Sequence, residues 1–397
     1  MKKKLLFSIS MIAFLAATVP LVAQSPAGSH IMRPPIKVVS TSQYPAGPSG
    51  ILPVQFKAAY GFNQIPNQGQ GMTIALVDAF DDPNIASDLA AYQAQFHLTP
   101  CNFQKVKVGS PPGDTGWALE ISLDVEQACA LAPKANIILV EGNSNNDTDL
   151  YAAVQVATSA PYNATTVSMS WGEGEFQGEQ SNDVYFCNIL NGAGQPVTYF
   201  ASSGDGGHGT IYPSASPCVI AVGGTTLTLG QAAPLGNPLQ LNYGTENGWR
   251  DGGGGVSPYE SQMSWQNPAC ATWSTTNRCV PDIASVAQNI PVYDTYGYGG
   301  WVNVAGTSIS SPDWAAFFTL VNSMRAGLGK GTTSQAAQDL YNIYYSGNYT
   351  TDFHDIKTGS NGSCGSQCNA GPGYDLVTGI GTYQANKLAP ALAADPN

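Results

Sequence analysis

The sharpest local cluster of reactive residue types is Gly306-Thr307-Ser308-Ile309-Ser310-Ser311-Pro312, between an apolar run at 301–305 and the helically spaced Trp314, Phe317, Phe318, Leu320 and Val321. Gly306 permits a tight strand-to-helix turn, and Pro312 fits the first helical turn, where its missing N–H leaves no bond unmade. A serine there is lifted from the core towards the positive end of the helix dipole, which suits an acyl-transfer nucleophile; capping the helix is an equally good use of Ser308. A nucleophile needs a base, and two sets exist. One is histidine: Asp78 ends the apolar run 72–80, and His208 lies upstream of Ser308. Its context is poor, because Ile211-Tyr212-Pro213 follows at once and His208 stands three strands beyond Asp78. The other is carboxylate: Glu120 and Asp124, four apart, fall on one face of a predicted helix. Like charges at that spacing destabilise a helix unless they share a proton or meet a partner. Trp117, Leu119, Leu123, Ala128 and Ala130 make the surroundings apolar, so one carboxyl should stay protonated and the pair can accept a serine proton.

Two further groups read less sharply. Asp205, between Gly204 and Gly206, has the form of a turn aspartate. Asp355-Ile356 and Gly371-Pro372-Gly373-Tyr374-Asp375 combine two carboxylates with carbonyls of glycine-rich turns, which suits a hard cation such as calcium but also an ordinary surface loop.

The elements that position these residues alternate. Run 72–80 reads as a buried strand. Behind it lies a helix at about 82–97, capped by Asp82 with Pro83 in first position. Helix 115–130 then leads to strand 136–140, helix 147–159 to strand 165–171, and helix 183–191 to strands 196–202 and 218–222. The expectation is an α/β fold: one large domain with a mostly parallel sheet covered on both faces and ligands at the carboxyl ends of its strands. Residues 25–55 read as an extended arm.

Composition narrows the function. Charged residues are 11% of 397 and the net charge is −12, which excludes a basic nucleic-acid or anionic-membrane binder. Lys2, Lys3 and Lys4 ahead of an apolar run to about Val19 read as a secretory signal over 1–24. Eight cysteines in an exported chain imply up to four disulfides, with Cys270–Cys279 and Cys364–Cys368 as local pairs. Zinc is excluded by the lack of any CxxC or suitably spaced histidine. Gly28–Met32 (GSHIM) has the composition of a cloning remnant and is set aside from the fold.

The series Glu120-x-x-Leu123-Asp124, Ser168-Met169-Ser170-Trp171-Gly172, Ala201-Ser202-Ser203-Gly204-Asp205 and Gly306-Thr307-Ser308-x-Ser310-x-Pro312 resembles the sedolisin (serine-carboxyl peptidase) family, secreted acid endopeptidases on a subtilisin-like fold. Gly252–Ser257 and Pro281-Asp282-Ile283 extend the likeness from about Tyr60 to Gly381. It implies Ser308 as nucleophile, Glu120 as general base and later acid, Asp124 as the residue orienting Glu120, and Asp205 as a protonated oxyanion donor. It also implies Ser168, Ser170, Trp171 and Gly172 as the strand whose backbone pairs with an extended peptide. One structural calcium ion would be held by the side chains of Asp355 and Asp375 and the carbonyls of Ile356, Gly371 and Gly373, within a segment at 352–381 of a catalytic domain at 56–397.

The family's long prodomain is not expected to fit between the signal and the first strand, so the enzyme folds unaided, a separate chaperone or inhibitor supplies that help, or the chain has been trimmed. The expected partners are polypeptide substrates, with no nucleic acid or membrane, and the expected state is a monomer outside the cell or in the periplasm. Two rivals stand beside this reading. One is a silent binding protein that keeps the cleft, and the other is a subtilisin-type enzyme using Asp78 and His208-Gly209-Thr210.

Overall fold

Apolar strands too uniformly hydrophobic to face water form the middle of the protein. The computed structural model describes residues 30–41, 47–232 and 241–396; the expected signal segment lies outside them. In chain order the principal elements begin with β1 (Lys37–Thr41), α1 (Pro53–Tyr60), β2 (Thr73–Ala79), α2 (Ile85–Gln95), β3 (Asn102–Lys107) and α3 (Thr115–Leu131). Next come β4 (Asn136–Gly142), α4 (Asp147–Thr158), β5 (Thr166–Met169), β6 (Thr198–Ser202), β7 (Ile220–Ala232) and β8 (Leu241–Gly248). The last are β9 (Ile283–Val286), β10 (Gln288–Asp294), β11 (Gly300–Ala305), α5 (Thr307–Gly327), α6 (Ala336–Tyr345) and α7 (Ala385–Ala394).

The main sheet runs β8-β7-β6-β5-β2-β4-β3, with β9 also paired to β7. All its pairings are parallel except β7 with β8. Strands β2 and β4 are almost wholly buried, as expected where helices cover both faces. Helices α3 and α5 pack together on one face and α4 lies on β2 and β4, and the core falls into two large apolar clusters and a small third one of Trp249, Ala287 and Ala305. The expected single α/β domain with a mostly parallel sheet is therefore present.

Local departures have physical causes. Helix α2 begins at Ile85 rather than Asp82, because the Asp82 carboxylate accepts from the Asn84 amide and turns the chain before the helix starts. The expected helix at 183–191 is a short 3₁₀ segment, Glu179–Tyr185, and the chain then turns through Asn188 at φ 56°. The expected strand 165–171 ends at Met169, since Ser170–Gly172 leave the ladder for other partners. All eight cysteines pair: Cys101–Cys129, Cys187–Cys218, and the two local pairs read from sequence.

The arm is not a loose tether. Strand β1 pairs antiparallel with β11, which pairs with β10. Setting Gly28–Met32 aside from the fold is corrected at Met32, which is fully buried in the apolar cluster that also contains Trp117 and Met169.

Candidate active site

Four elements bring buried polar groups to the carboxyl end of the sheet. The penultimate residue of β2 is Asp78, fully buried. Helix α3 is started by Asp114, whose carboxylate accepts from the amides of Gly116 and Trp117, and it carries Glu120 and Asp124 inward at zero exposure. Past the end of β5, the Ser170 hydroxyl lies 2.9 Å from Asp124 Oδ1 and 3.3 Å from the Ser308 carbonyl. Helix α5 starts at Thr307 and holds Ser308 in its first turn, buried.

Asp205, just after β6, completes the group. Its Oδ1 accepts from the Thr307 amide at 2.9 Å and the Thr307 hydroxyl at 3.1 Å, which fixes it beside the start of α5. Gly306 has to be glycine here: a methyl group on it would meet the Pro35 carbonyl oxygen at 2.1 Å and Asp205 Oδ2 at 3.0 Å.

The chemistry shows in what is left unpaired. Both oxygens of Asp78, both of Glu120, Asp124 Oδ2, Asp205 Oδ2 and Ser308 Oγ are buried without a hydrogen-bond partner. Such orphans are costly and rare in a structural core, so their concentration at one point marks a place built for a reaction. Ser308 and Asp124 are close enough to act on the Glu120 proton, although no bond closes on either Glu120 oxygen in this state.

Electrostatics favour protonated acids. Burial first, and then the charges of Asp78 and Asp205, push Glu120 well above the usual carboxyl range, while the nearby Ser308 and Asp124 pull it back. Burial and then the charges of Asp78 and Glu120 raise Asp124, against the Ser170 hydroxyl. Burial lifts Asp78 to about 7. It also lifts Asp205 to about 7, despite the two bonds from Thr307 and the charge of Lys37. Burial, and for Glu120 and Asp124 the charges of their acidic neighbours, thus favour the protonated form of all three.

The other expected residues fall as follows. The Ser168 hydroxyl bonds Ser311 at 2.8 Å, tying β5 to α5, and Trp171 is fully buried with its indole N–H donating to the Val77 carbonyl at 2.7 Å. Those side chains hold the frame. Gly172 is buried, and its backbone amide and carbonyl pair with Arg33 at 3.1 and 3.0 Å. His208 is exposed and neighbours Gly255 and Gly362. It does not join Asp78 and Ser308, which corrects the histidine-base rival: the loop after β6 carries His208 towards the glycine turn at 252–255. Asp78 does sit at the site, beside the acids of α3. A carboxylate inside the apolar run 72–80 was the sequence signal for it.

The expected cation residues gather around one turn. The Gly371 amide donates to Asp375 Oδ2 and the Gly373 amide to Asp355 Oδ1, both at 2.9 Å, so the two carboxylates converge on the same glycine-rich loop. Gly373 has φ 76°, and a methyl there would press on the Tyr344 hydroxyl at 2.9 Å. Burial raises Asp375 to about 6 against four hydrogen bonds. The Lys357 ammonium, 3.4 Å from Asp355 Oδ2 and largely exposed, is the single cation paired there among the described residues. Two carboxylates on one glycine-rich loop, with one largely exposed ammonium as their paired cation, are of the donor type that a hard divalent ion takes.

Known proteins share sequence and fold with this chain. The subtilase family (Peptidase_S8) matches residues 121–342. The chain is 28% identical over 372 residues to sedolisin of Pseudomonas sp. (strain 101), covering 86% of this chain and 61% of that protein. It is 30% identical over 376 residues to kumamolisin of Bacillus sp. (strain MN-32), covering 87% of this chain and 64% of that protein. The chain thus spans about three-fifths of the length of these relatives. Among solved structures, Pseudomonas sedolisin complexed with pseudo-iodotyrostatin superposes with a TM-score of 0.73 at 24% identity, over 89% of this chain and 100% of that one.

Proposed function

This chain belongs to the subtilase family, in its sedolisin group, and from that premise we propose that it is a secreted serine-carboxyl endopeptidase that cuts peptide bonds in acidic medium. The observation that carries the reading is the buried, unpartnered set of Ser308 Oγ, Glu120 and Asp124. With no imidazole at the site, a carboxylate has to take the serine proton.

The residues divide the work by position. Ser308 Oγ attacks the peptide carbonyl, and its proton passes to Glu120. Asp124, held by Ser170, supports Glu120 and shares its proton load with Asp78. As the carbonyl oxygen gains charge, the Ser308 amide and a protonated Asp205 donate to it. Asp205 is held by Thr307 through Oδ1, which leaves Oδ2 free for that purpose. A donor of this kind contributes about 10²- to 10³-fold in turnover. Glu120 then protonates the departing amine, and water opens the acyl-serine by the reverse path. The substrate lies extended along Gly172 as an added strand. Four disulfides and no free cysteine among the described residues support an oxidising destination.

The test is cleavage of a peptide library from pH 2 to 8. A carboxylate base and an acid-form oxyanion donor require a rate that is highest in acid and fades towards neutrality. A rate that rises to pH 8 would indicate another base, and none at any pH would leave a silent binder.

Asp355 and Asp375, with the carbonyls of Ile356, Gly371 and Gly373, would hold the calcium ion, whose charge would offset the two acids and pin the segment after α6. Chelation is expected to lower the melting temperature, because removing a ligand that binds only the folded state removes its stabilisation. A melting curve unmoved by chelator and by added calcium would refute the site.

A further inference from the structure

A second group of buried acids lies outside the catalytic set, where α2, α3 and β10 pack together. Asp82 precedes α2, Asp88 sits in the first turn of α2, and Asp294 is the last residue of β10. All three are at most 1% exposed, and one oxygen of each lies within 4.8 Å of the other two. A fourth acid, Glu126 of α3, is fully buried beside them. Burial first, and then the charges of Asp88, Asp294 and Asp82, push Glu126 well above its usual range, against the Tyr293 amide. None of the four is ion-paired to an ammonium or guanidinium among the described residues. Lys105 donates to the Asp82 carbonyl at 2.6 Å, but its ion pairs are with Asp81 and Glu141.

Ordinary structural duties account for part of this group. Asp88 ties α2 to the turn after β10 by accepting from the Thr295 amide at 2.8 Å and the Thr295 hydroxyl at 2.7 Å, and Asp82 Oδ1 accepts from the Asn84 amide at 2.8 Å. Two oxygens are left over. Asp82 Oδ2 has only the Ser122 hydroxyl, at 3.4 Å. Asp294 Oδ1 takes the Gly297 amide at 2.8 Å, while Asp294 Oδ2 is buried with no partner. The backbone gives an independent sign. A methyl group on Gly297 would stand 2.5 Å from Asp294 Oδ2 and 2.6 Å from the Thr115 carbonyl oxygen. That glycine keeps open a gap flanked by the orphan carboxylate oxygen and by a main-chain carbonyl from the first turn of α3.

We propose that Asp82, Asp88 and Asp294 hold a calcium ion, at a site separate from the glycine-rich loop at 371–375. Two oxygens on opposite sides of a calcium ion stand about 4.6–5.2 Å apart, twice the usual bond length, so three carboxylates whose oxygens lie within 4.8 Å of one another suit a single ion. Magnesium would require bonds of about 2.0–2.1 Å and would keep several waters, which a fully buried triad does not favour. Buried carboxylates with no counter-charge repel one another, and a divalent ion offsets them. The Thr115 carbonyl and the Thr295 hydroxyl are neutral oxygens at hand to add to the shell. The ion joins the start of α2 and the end of β10 to the head of α3, the helix that bears Glu120 and Asp124. The site does not depend on the peptidase reading.

The experiment counts calcium ions on the full chain carrying Ser308→Ala, to preclude self-digestion, by equilibrium dialysis at pH 7 against calcium up to about 10 mM, ten times the weakest range of extracellular calcium modules. The expected count is two ions per chain. Asp294→Asn should bind one, Asp375→Asn one, and the double variant none. Gly297→Ala, which keeps every charge but fills the gap, should also bind one. In chelator Asp294→Asn should melt no lower than the parent, because it removes a buried repulsion, and it should lose part of the rise in melting temperature that calcium gives the parent. The proposal is overturned if the parent binds one ion that survives Asp294→Asn, or if Asp294→Asn still binds two. It is overturned as well if Asp294→Asn melts well below the parent in chelator, since Asp294 would then be held by the protein itself. A single ion lost with Asp294→Asn and kept in Asp375→Asn would uphold this site and refute the one at 371–375. No bound ion at all refutes both.

Discussion

Glu120→Gln is expected to lower peptide hydrolysis by about 10⁴-fold, the upper range for a lost general base, and Ser308→Ala by about 10⁶-fold. Glutamine fills the same volume but cannot take a proton, and no other group among the described residues is poised to do so. Asp124 and Asp78 are as buried as Glu120, but Asp124 is tied to Ser170 through Oδ1. The double variant should be no slower than Ser308→Ala alone, because residues that act as one unit do not add. Stability separates this from misfolding. Glu120 is an acid held against its burial, so its amide counterpart should melt no lower than the parent at pH 7. Steady-state hydrolysis with calorimetry decides the matter, and wild-type rates in either single variant would remove that residue from the reaction.

Stability itself should fall as pH rises from about 4 to 8. Burial first of all raises Asp78 and Asp339 to about 7, and Glu141 and Glu260 to about 8. The same groups in the unfolded chain titrate near 4. A raised folded value means that the native state keeps protons the unfolded state has released, so the contribution is complete below about pH 4 and is lost as pH climbs through 7 to 8. Each proton held in excess is worth about 1.4 kcal/mol per pH unit. Several groups acting together should lower the melting temperature on the order of 10 °C between pH 4.5 and 7.5. Asp81 and Asp251 act in the opposite sense, since hydrogen bonds from Lys105 and Lys107, and from Lys37 and Arg250, outweigh burial and lower them; their contribution is lost only in stronger acid. Calorimetry on Ser308→Ala avoids self-digestion. A melting temperature that is flat or rises over that interval would show that these acids are ionised and paired in solution.

How far the site could be read from sequence depended on how local each signal was. The acids of α3 were legible because four-residue spacing on an apolar helix leaves two carboxylates no polar face to use, and both prove fully buried. Ser308 was legible because glycine before it and proline after it admit few local geometries. The 3₁₀ segment at Glu179–Tyr185 was not, since apolar spacing there continues while a left-handed Asn188 turns the chain aside. Ser168–Gly172 read as a strand whose backbone pairs with a peptide; what the sequence did not show is where the Ser168 and Trp171 side chains go, because their partners, Ser311 and the Val77 carbonyl, come from elements far away in sequence. The arm was the least legible. Its place is fixed by main-chain bonds to Asn145 and Gly172, and no periodicity in 30–41 encodes those.

Helix α3 is secured at both ends, by the Asp114 carboxylate at its start and by Cys129, joined to Cys101 ahead of β3, near its close. Glu120 and Asp124 sit between the two fixings, which resist rolling and sliding of the rod that bears them. A peptide reaching the cleft would meet acids borne on a helix tied at both of its ends. In a thiol-rich setting one of those fixings would open, and the aim would then depend on packing alone.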